Sequence, residues 1–184
     1  MRLLSVVLAF FSLFSRGTDL NNPAEIAGDI LANTEAFAFK KNYPLHACAT
    51  GMMMPGGTVQ KLTLCFQSKT LLTRNQLRVL LIECGEELLQ QINSNKHIQR
   101  FLVKRPFTIK EVTIVIYNKD KEGNTPYDPL IVTADISGGI LTFCTQDSQD
   151  KWGYKNEFEE SYEEALEIIQ QNQMKRKPLN NVKK

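Results

Sequence analysis

Five residues in one short stretch carry soft-ligand chemistry. His46, Cys48, Met52, Met53 and Met54 lie within KKNYPLHACATGMMMPGG, residues 40–57. Imidazole, thiolate and thioether together suit a soft ion such as Cu(I). They also suit a thiol nucleophile, with His46 or the other histidine, His97, lowering the pKa of Cys48. Neither chemistry has a family signature around it. No Asn or Asp stands out to orient an imidazole, and consecutive Met side chains point in different directions. Repeated Pro and Gly, at Pro44, Gly51, Pro55, Gly56 and Gly57, read as irregular backbone. A flexible apolar loop of this kind serves as an adaptable contact surface, so Met52, Met53 and Met54 are the candidate binding residues.

The remaining cysteines are Cys65, Cys84 and Cys144. The spacings contain no C-x-x-C, which removes support for thioredoxin-like redox chemistry and for the common zinc sites. Four cysteines allow three disulfide pairings. Cys65 and Cys144 both fall on the less apolar side of a strand pattern, so they are the candidate pair if those strands are neighbours. Two carboxylates, Glu111 and Asp135, sit among β-branched residues. Burial there would raise a carboxyl pKa, although alternation with Ile131 and Thr133 suits a solvated strand face for Asp135.

The element that organises these residues is LLTRNQLRVLLIECGEELLQQI, residues 71–92. Thr73 and Gln76 match a capping box. Leu77, Leu80, Leu81, Cys84, Leu88 and Ile92 recur at three- and four-residue spacing. Arg74, Arg78, Glu83, Glu86 and Glu87 fall on the other side. Gly85 interrupts the helix at a cost of about 1 kcal/mol against Ala, and its small size would admit a close strand. Upstream, Asn22, Pro23 and Glu25 open a helix that Ile26, Ile30 and Leu31 continue to about Phe39. Thr58 to Gln67 alternates as a strand with Leu62, Leu64 and Phe66 inward.

Past an ambiguous stretch, residues 95–106, Phe107 to Tyr117 is the strongest strand pattern. Pro129 to Ser137 follows, with Leu130, Val132, Ala134 and Ile136 inward, then a Gly138-Gly139 hairpin turn and a return strand, Ile140 to Thr145. Residues 149–156 add a short edge strand around Trp152 and Tyr154. Ser161 and Glu164 cap a last helix running to about Gln173, with Glu157, Glu159, Glu160, Glu163, Glu164 and Glu167 crowding its start. The order predicts an α+β fold: an antiparallel β-meander of four or five strands with helices on one face.

Residues 1–17 have the form of a signal peptide: Arg2, then an uncharged apolar run from Leu3 to Phe14, then Ser15-Arg16-Gly17. That run is too short to span a bilayer comfortably. Residues 18–174 read as a single domain and residues 175–184 as a basic disordered tail. The formal charge is +2. Loss of residues 1–17 takes away Arg2 and Arg16 and no acid, leaving the remainder balanced. Such a chain has no field for nucleic acid. The sequence thus predicts an exported protein, secreted or periplasmic, without cofactor or membrane span. It would bind a protein partner or small ligand rather than act as an enzyme. A thiol-dependent enzyme or soft-metal protein centred on Cys48 is the alternative.

Overall fold

The computed structural model describes residues 18–150 and 153–176. The predicted signal peptide, Trp152 and the last eight residues of the tail lie outside them. The chain runs α1 (Pro23–Lys40), β1 (Leu45–Met53), β2 (Lys61–Ser68), α2 (Arg74–Ser94), β3 (Val112–Tyr117), β4 (Thr133–Ser137), β5 (Ile140–Gln146), β6 (Tyr154–Ser161) and α3 (Tyr162–Arg176). The α+β class is as expected. The sheet has six strands in sequence order, β1 to β6, and it is mixed. β2 and β3 are parallel, and every other pair is antiparallel. The all-antiparallel meander is therefore corrected at one junction. A parallel pair needs a long crossover, usually helical, and α2 is that crossover.

The helices form where local chemistry starts them. Asn22 accepts from the Ala24 amide ahead of Pro23. Thr73 accepts from the Gln76 amide, and the Gln76 side chain accepts from the Thr73 amide. Ser161 and Glu164 make the same exchange at α3. That helix continues to Arg176, three residues past the expected end, so the predicted tail begins inside it.

All three helices pack on one face of the sheet. Leu62, Leu64 and Phe66 of β2 are fully buried beneath them. So are Val112, Ile114 and Ile116 of β3, Ala134 and Ile136 of β4, and Leu141 and Phe143 of β5. Opposite stand Leu77, Leu81, Cys84, Leu88 and Ile92 of α2 and Ile26, Ile30 and Leu31 of α1. Burying each large side chain contributes about 1.5–3 kcal/mol before chain entropy is counted. Gly85 lies on the face of α2 that meets the sheet. A Cβ there would lie 3.2 Å from Ile109 Cδ1 and 4.0 Å from Ile114 and Ile136. The turn at Gly138-Gly139 has φ of 63° and 87°, the left-handed pair a tight hairpin requires.

Three strand boundaries differ from expectation. Ile109–Glu111 is a 3-10 turn, so β3 starts at Val112. β4 starts at Thr133, and Leu130, expected inward, is 48% exposed. β6 runs through Ser161, so Glu157, Glu159 and Glu160 are strand residues rather than the start of a helix. Among the described residues, no helix is long and apolar enough to cross a membrane.

Candidate functional site

Among the described residues, the helix layer leaves the other sheet face uncovered. That face takes the alternate residues of each strand. Cys65 pairs with Val115, Val115 with Asp135, and Asp135 with Thr142. These four form a half-buried row across the middle of the sheet. Around them are exposed apolar side chains: Met53, Tyr117, Ile140 and Tyr154. Lys61 lies toward the β1 side, and Glu157 and Glu159 toward the β6 side.

The stretch expected to be an irregular loop is strand β1, paired antiparallel with β2. This changes the three methionines. Met52 turns to the helix side, with its Cε 4.0 Å from where a Cβ on Gly28 of α1 would sit. Met52 and Met54 pack against the core, and only Met53 is exposed. The three are not one apolar loop.

The register of β1 shifts between Ala47, opposite Phe66, and Ala49, opposite Cys65. Cys48 is the extra residue of this bulge. Two residues of the bulged strand then oppose one of the partner, so Cys48 lies beside Cys65. Its Sγ donates to the Cys65 carbonyl oxygen at 3.5 Å. Burial raises the Cys48 pKa, and burial plus the neighbouring Cys48 raise that of Cys65. An activated thiolate requires the opposite shift. His46 is exposed on the same strand, and His97 lies beyond the end of α2. Neither imidazole is hydrogen-bonded to Cys48.

All four cysteines are free. The expected Cys65–Cys144 pair is not formed, because β3 and β4 lie between their strands. Neighbouring strands are about 4.8 Å apart, so the two sites are separated by about 14 Å. A disulfide spans a Cα separation of about 7 Å at most. Cys84 is fully buried, and its thiol is pushed up to about 12 by burial and by Glu83 and Glu87. Cys144 is pushed up to about 11 by burial and by Glu157 and Asp135. Among the described residues, no three His, Cys, Asp or Glu side chains converge as a metal site would need.

The carboxylates separate cleanly. Glu111 accepts from the Thr108 amide and pairs with Lys104 at 2.8 Å. Burial pushes its pKa up, but Lys104 and Thr108 outweigh it and the net shift is down. It is a capping residue. Asp135 is shifted up by burial and by Glu157 and Glu159.

Two features had no distinct sequence signal. One is a groove of about 600 Å³ between α2 and α3, walled by Leu72, Val79, Leu80 and Ile169 and rimmed by Gln76 and Asn172. The other is a buried ionic cluster. Arg78, assigned by spacing to the polar side of α2, is 4% exposed and forks onto Glu160 of β6. Arg74 lies 3.6 Å from the same carboxylate and 4.7 Å from the Phe143 ring centroid.

Comparison of the chain with protein-family models, curated proteins and solved structures returned no match.

Proposed function

We propose that the protein is a non-enzymatic binding module that docks a protein partner on the open face of its sheet, outside the cytoplasm. The observation that carries this reading is the one-sided helix layer. All three helices cover the same face, and the opposite face presents Met53, Tyr117, Ile140 and Tyr154 around the half-buried Val115. Exposed aromatic and Met side chains are among the residue types that protein interfaces favour. Lys61 toward one edge and Glu157 and Glu159 toward the other would set the partner's orientation. The secreted or periplasmic address rests on the pattern of residues 1–17.

The thiol-enzyme and soft-metal readings have less support. Cys48 faces a carbonyl oxygen and another thiol rather than an imidazole, and its pKa is shifted away from thiolate. Met52 is turned toward α1 rather than toward Cys48.

Site-specific photo-crosslinking in the producing cell tests the docking face. A photoreactive side chain replaces Tyr117 in one variant and Glu35, exposed on α1, in another. A discrete adduct from position 117 and none from position 35 is expected. No adduct from 117, or equal adducts from both, would overturn the proposal. The intact mass of the protein recovered from those cells tests the address, with a mature start near Thr18 expected and a retained leader against it.

A further inference from the structure

The bulge in β1 brings Cys48 next to Cys65, at the β1 side of the open face. Ala49 pairs with Cys65 across β1 and β2, and Cys48 is the unpaired extra residue beside it. The paired Ala49 has its Cα about 4.5–5.5 Å from that of Cys65, and Cys48 is its chain neighbour, so an adjustment of the bulge brings the two cysteines within the range a disulfide spans. The Cys48 thiol already rests 3.5 Å from the Cys65 backbone oxygen. Among the described residues β1 is an edge strand with β2 as its one neighbour, so its bulge can adjust without disturbing a second strand. Accessibility selects the same two residues. Cys48 is exposed and Cys65 half-buried, whereas Cys84 and Cys144 are buried.

We propose that Cys48 and Cys65 form a redox-active dithiol, which a small-molecule disulfide converts to a cross-strand disulfide stapling the β1–β2 hairpin. The exposed Cys48 loses its proton and attacks one sulfur of the small-molecule disulfide. A mixed disulfide forms and one small thiolate leaves. The Cys65 sulfur, on losing its proton, attacks the Cys48 sulfur and expels the second small thiolate. The two protein sulfurs are oxidised by two electrons, the external disulfide is reduced, and the two protons end on the two small thiols. The bond closes the hairpin around the 3-10 turn Pro55–Gly57 and fixes the bulge. It does not depend on whether the open face docks a partner.

The test uses the folded full chain and oxidised glutathione, followed by denaturing alkylation and tryptic mapping. Cleavage after Lys41, Lys61 and Lys69 releases peptides 42–61 and 62–69, each with one cysteine. These two are expected as one disulfide-linked species, with Cys84 and Cys144 recovered alkylated. In Cys48→Ser, Cys65 is expected to be recovered without an internal partner. Recovery of the wild-type peptides unlinked, a stable glutathione adduct on Cys48, or linkage of either cysteine to Cys84 or Cys144 would overturn the proposal. Repeating the oxidation in denaturant is expected to scramble the pairing. The same single linkage with and without the fold would show that proximity in sequence, not the bulge, selects the pair, and would also overturn it.

Discussion

Arg78 of α2 and Glu160 of β6 form a two-pronged buried ion pair, with Arg78 Nη2 donating to Glu160 Oε2 at 2.8 Å. Arg78 also donates to Asn75, and its guanidinium lies 5.6 Å from the Phe143 ring centroid. Arg74 approaches the same carboxylate and leaves its Nε buried without a hydrogen-bond partner. One anion therefore serves two cations at the seam between the helix layer and the last strand. Its two halves are not equivalent. Glu160→Gln leaves two guanidinium groups facing each other, one of them buried, and is expected to cost about 3–5 kcal/mol. Arg78→Met leaves Arg74 to pair with Glu160 and is expected to cost less. Denaturant unfolding of the two variants checks the order, and equal losses would show that Arg74 gives no compensation.

A second polar knot lies at the end of β3, beside the start of α2. The Asn118 side chain donates to the carbonyls of Leu72 and Ile131 and accepts from the Leu72 amide. It is fully buried beside Ser68, whose hydroxyl accepts from the Lys119 amide at 2.7 Å. Two donors aimed at two carbonyls make the amide irreplaceable by its acid. Asn118→Asp would set one carboxylate oxygen, in the place of Nδ2, against both carbonyls. Each buried group left unsatisfied costs about 1–3 kcal/mol, more where charge is involved. The lower end of that range for Asn118→Asp by equilibrium unfolding would mean that the loop relaxes around the acid.

The central elements were legible in the sequence because each has one buried face or an explicit cap. Leu62, Leu64 and Phe66 alternate because the helices cover one side of β2 and leave the other open. Thr73 with Gln76 and the glycine pair at 138–139 are local codes, readable without knowing the fold. β1 was not legible, and β6 only at its start near Tyr154, for the converse reason. β1 has Gly51, small residues and a bulge at Cys48, and β6 is exposed along most of its length, with four charged residues from Lys155 to Glu160. An edge strand has little buried face to impose a period of two. Register was illegible too. The neighbours of Cys65 depend on which strands pair, and Cys48 and Cys84 lie at nearly the same spacing from it along the chain. Arg78 was misread because periodicity assigns a charged residue to solvent, while its partner Glu160 comes from a strand that the sequence presents as the start of a helix.

Gly85 separates conformational cost from packing. Alanine there would gain about 1 kcal/mol of helix propensity. Its Cβ would press only on the mobile tip of the half-buried Ile109, at 3.2 Å. Gly85→Ala is expected to leave the midpoint of thermal unfolding unchanged or slightly raised. Gly85→Val would add branches toward Ile114 and Ile136, both fully buried, and is expected to destabilise by about 1–3 kcal/mol as an overpacked core site. Destabilisation by Ala as large as that by Val would show that α2 cannot move away from the sheet at all.

Asp135 gives the open face a pH dependence whose sign follows from its surroundings. Val115 and Thr142 flank it across the strands, and Glu157, Glu159, the Tyr117 phenol and the Cys144 thiol are the other titratable groups that interact with it. Burial and the two glutamates raise its pKa above the unfolded value. The folded state then holds the proton more tightly than the unfolded state, so stability falls as pH rises from the unfolded pKa through the folded one. Above that window the ionised carboxylate costs the native state free energy. Below the unfolded pKa the cost is absent. Asp135→Asn removes the charge and keeps the shape, so it is expected to raise the unfolding midpoint at neutral pH. That gain should shrink as the pH is lowered into the carboxylate range, where the wild-type acid is neutral as well. Thermal unfolding of both proteins across pH measures the difference directly. A gain that stayed constant with pH would assign it to packing or hydrogen bonding. A loss at neutral pH would mean that the carboxylate has a favourable partner on the open face.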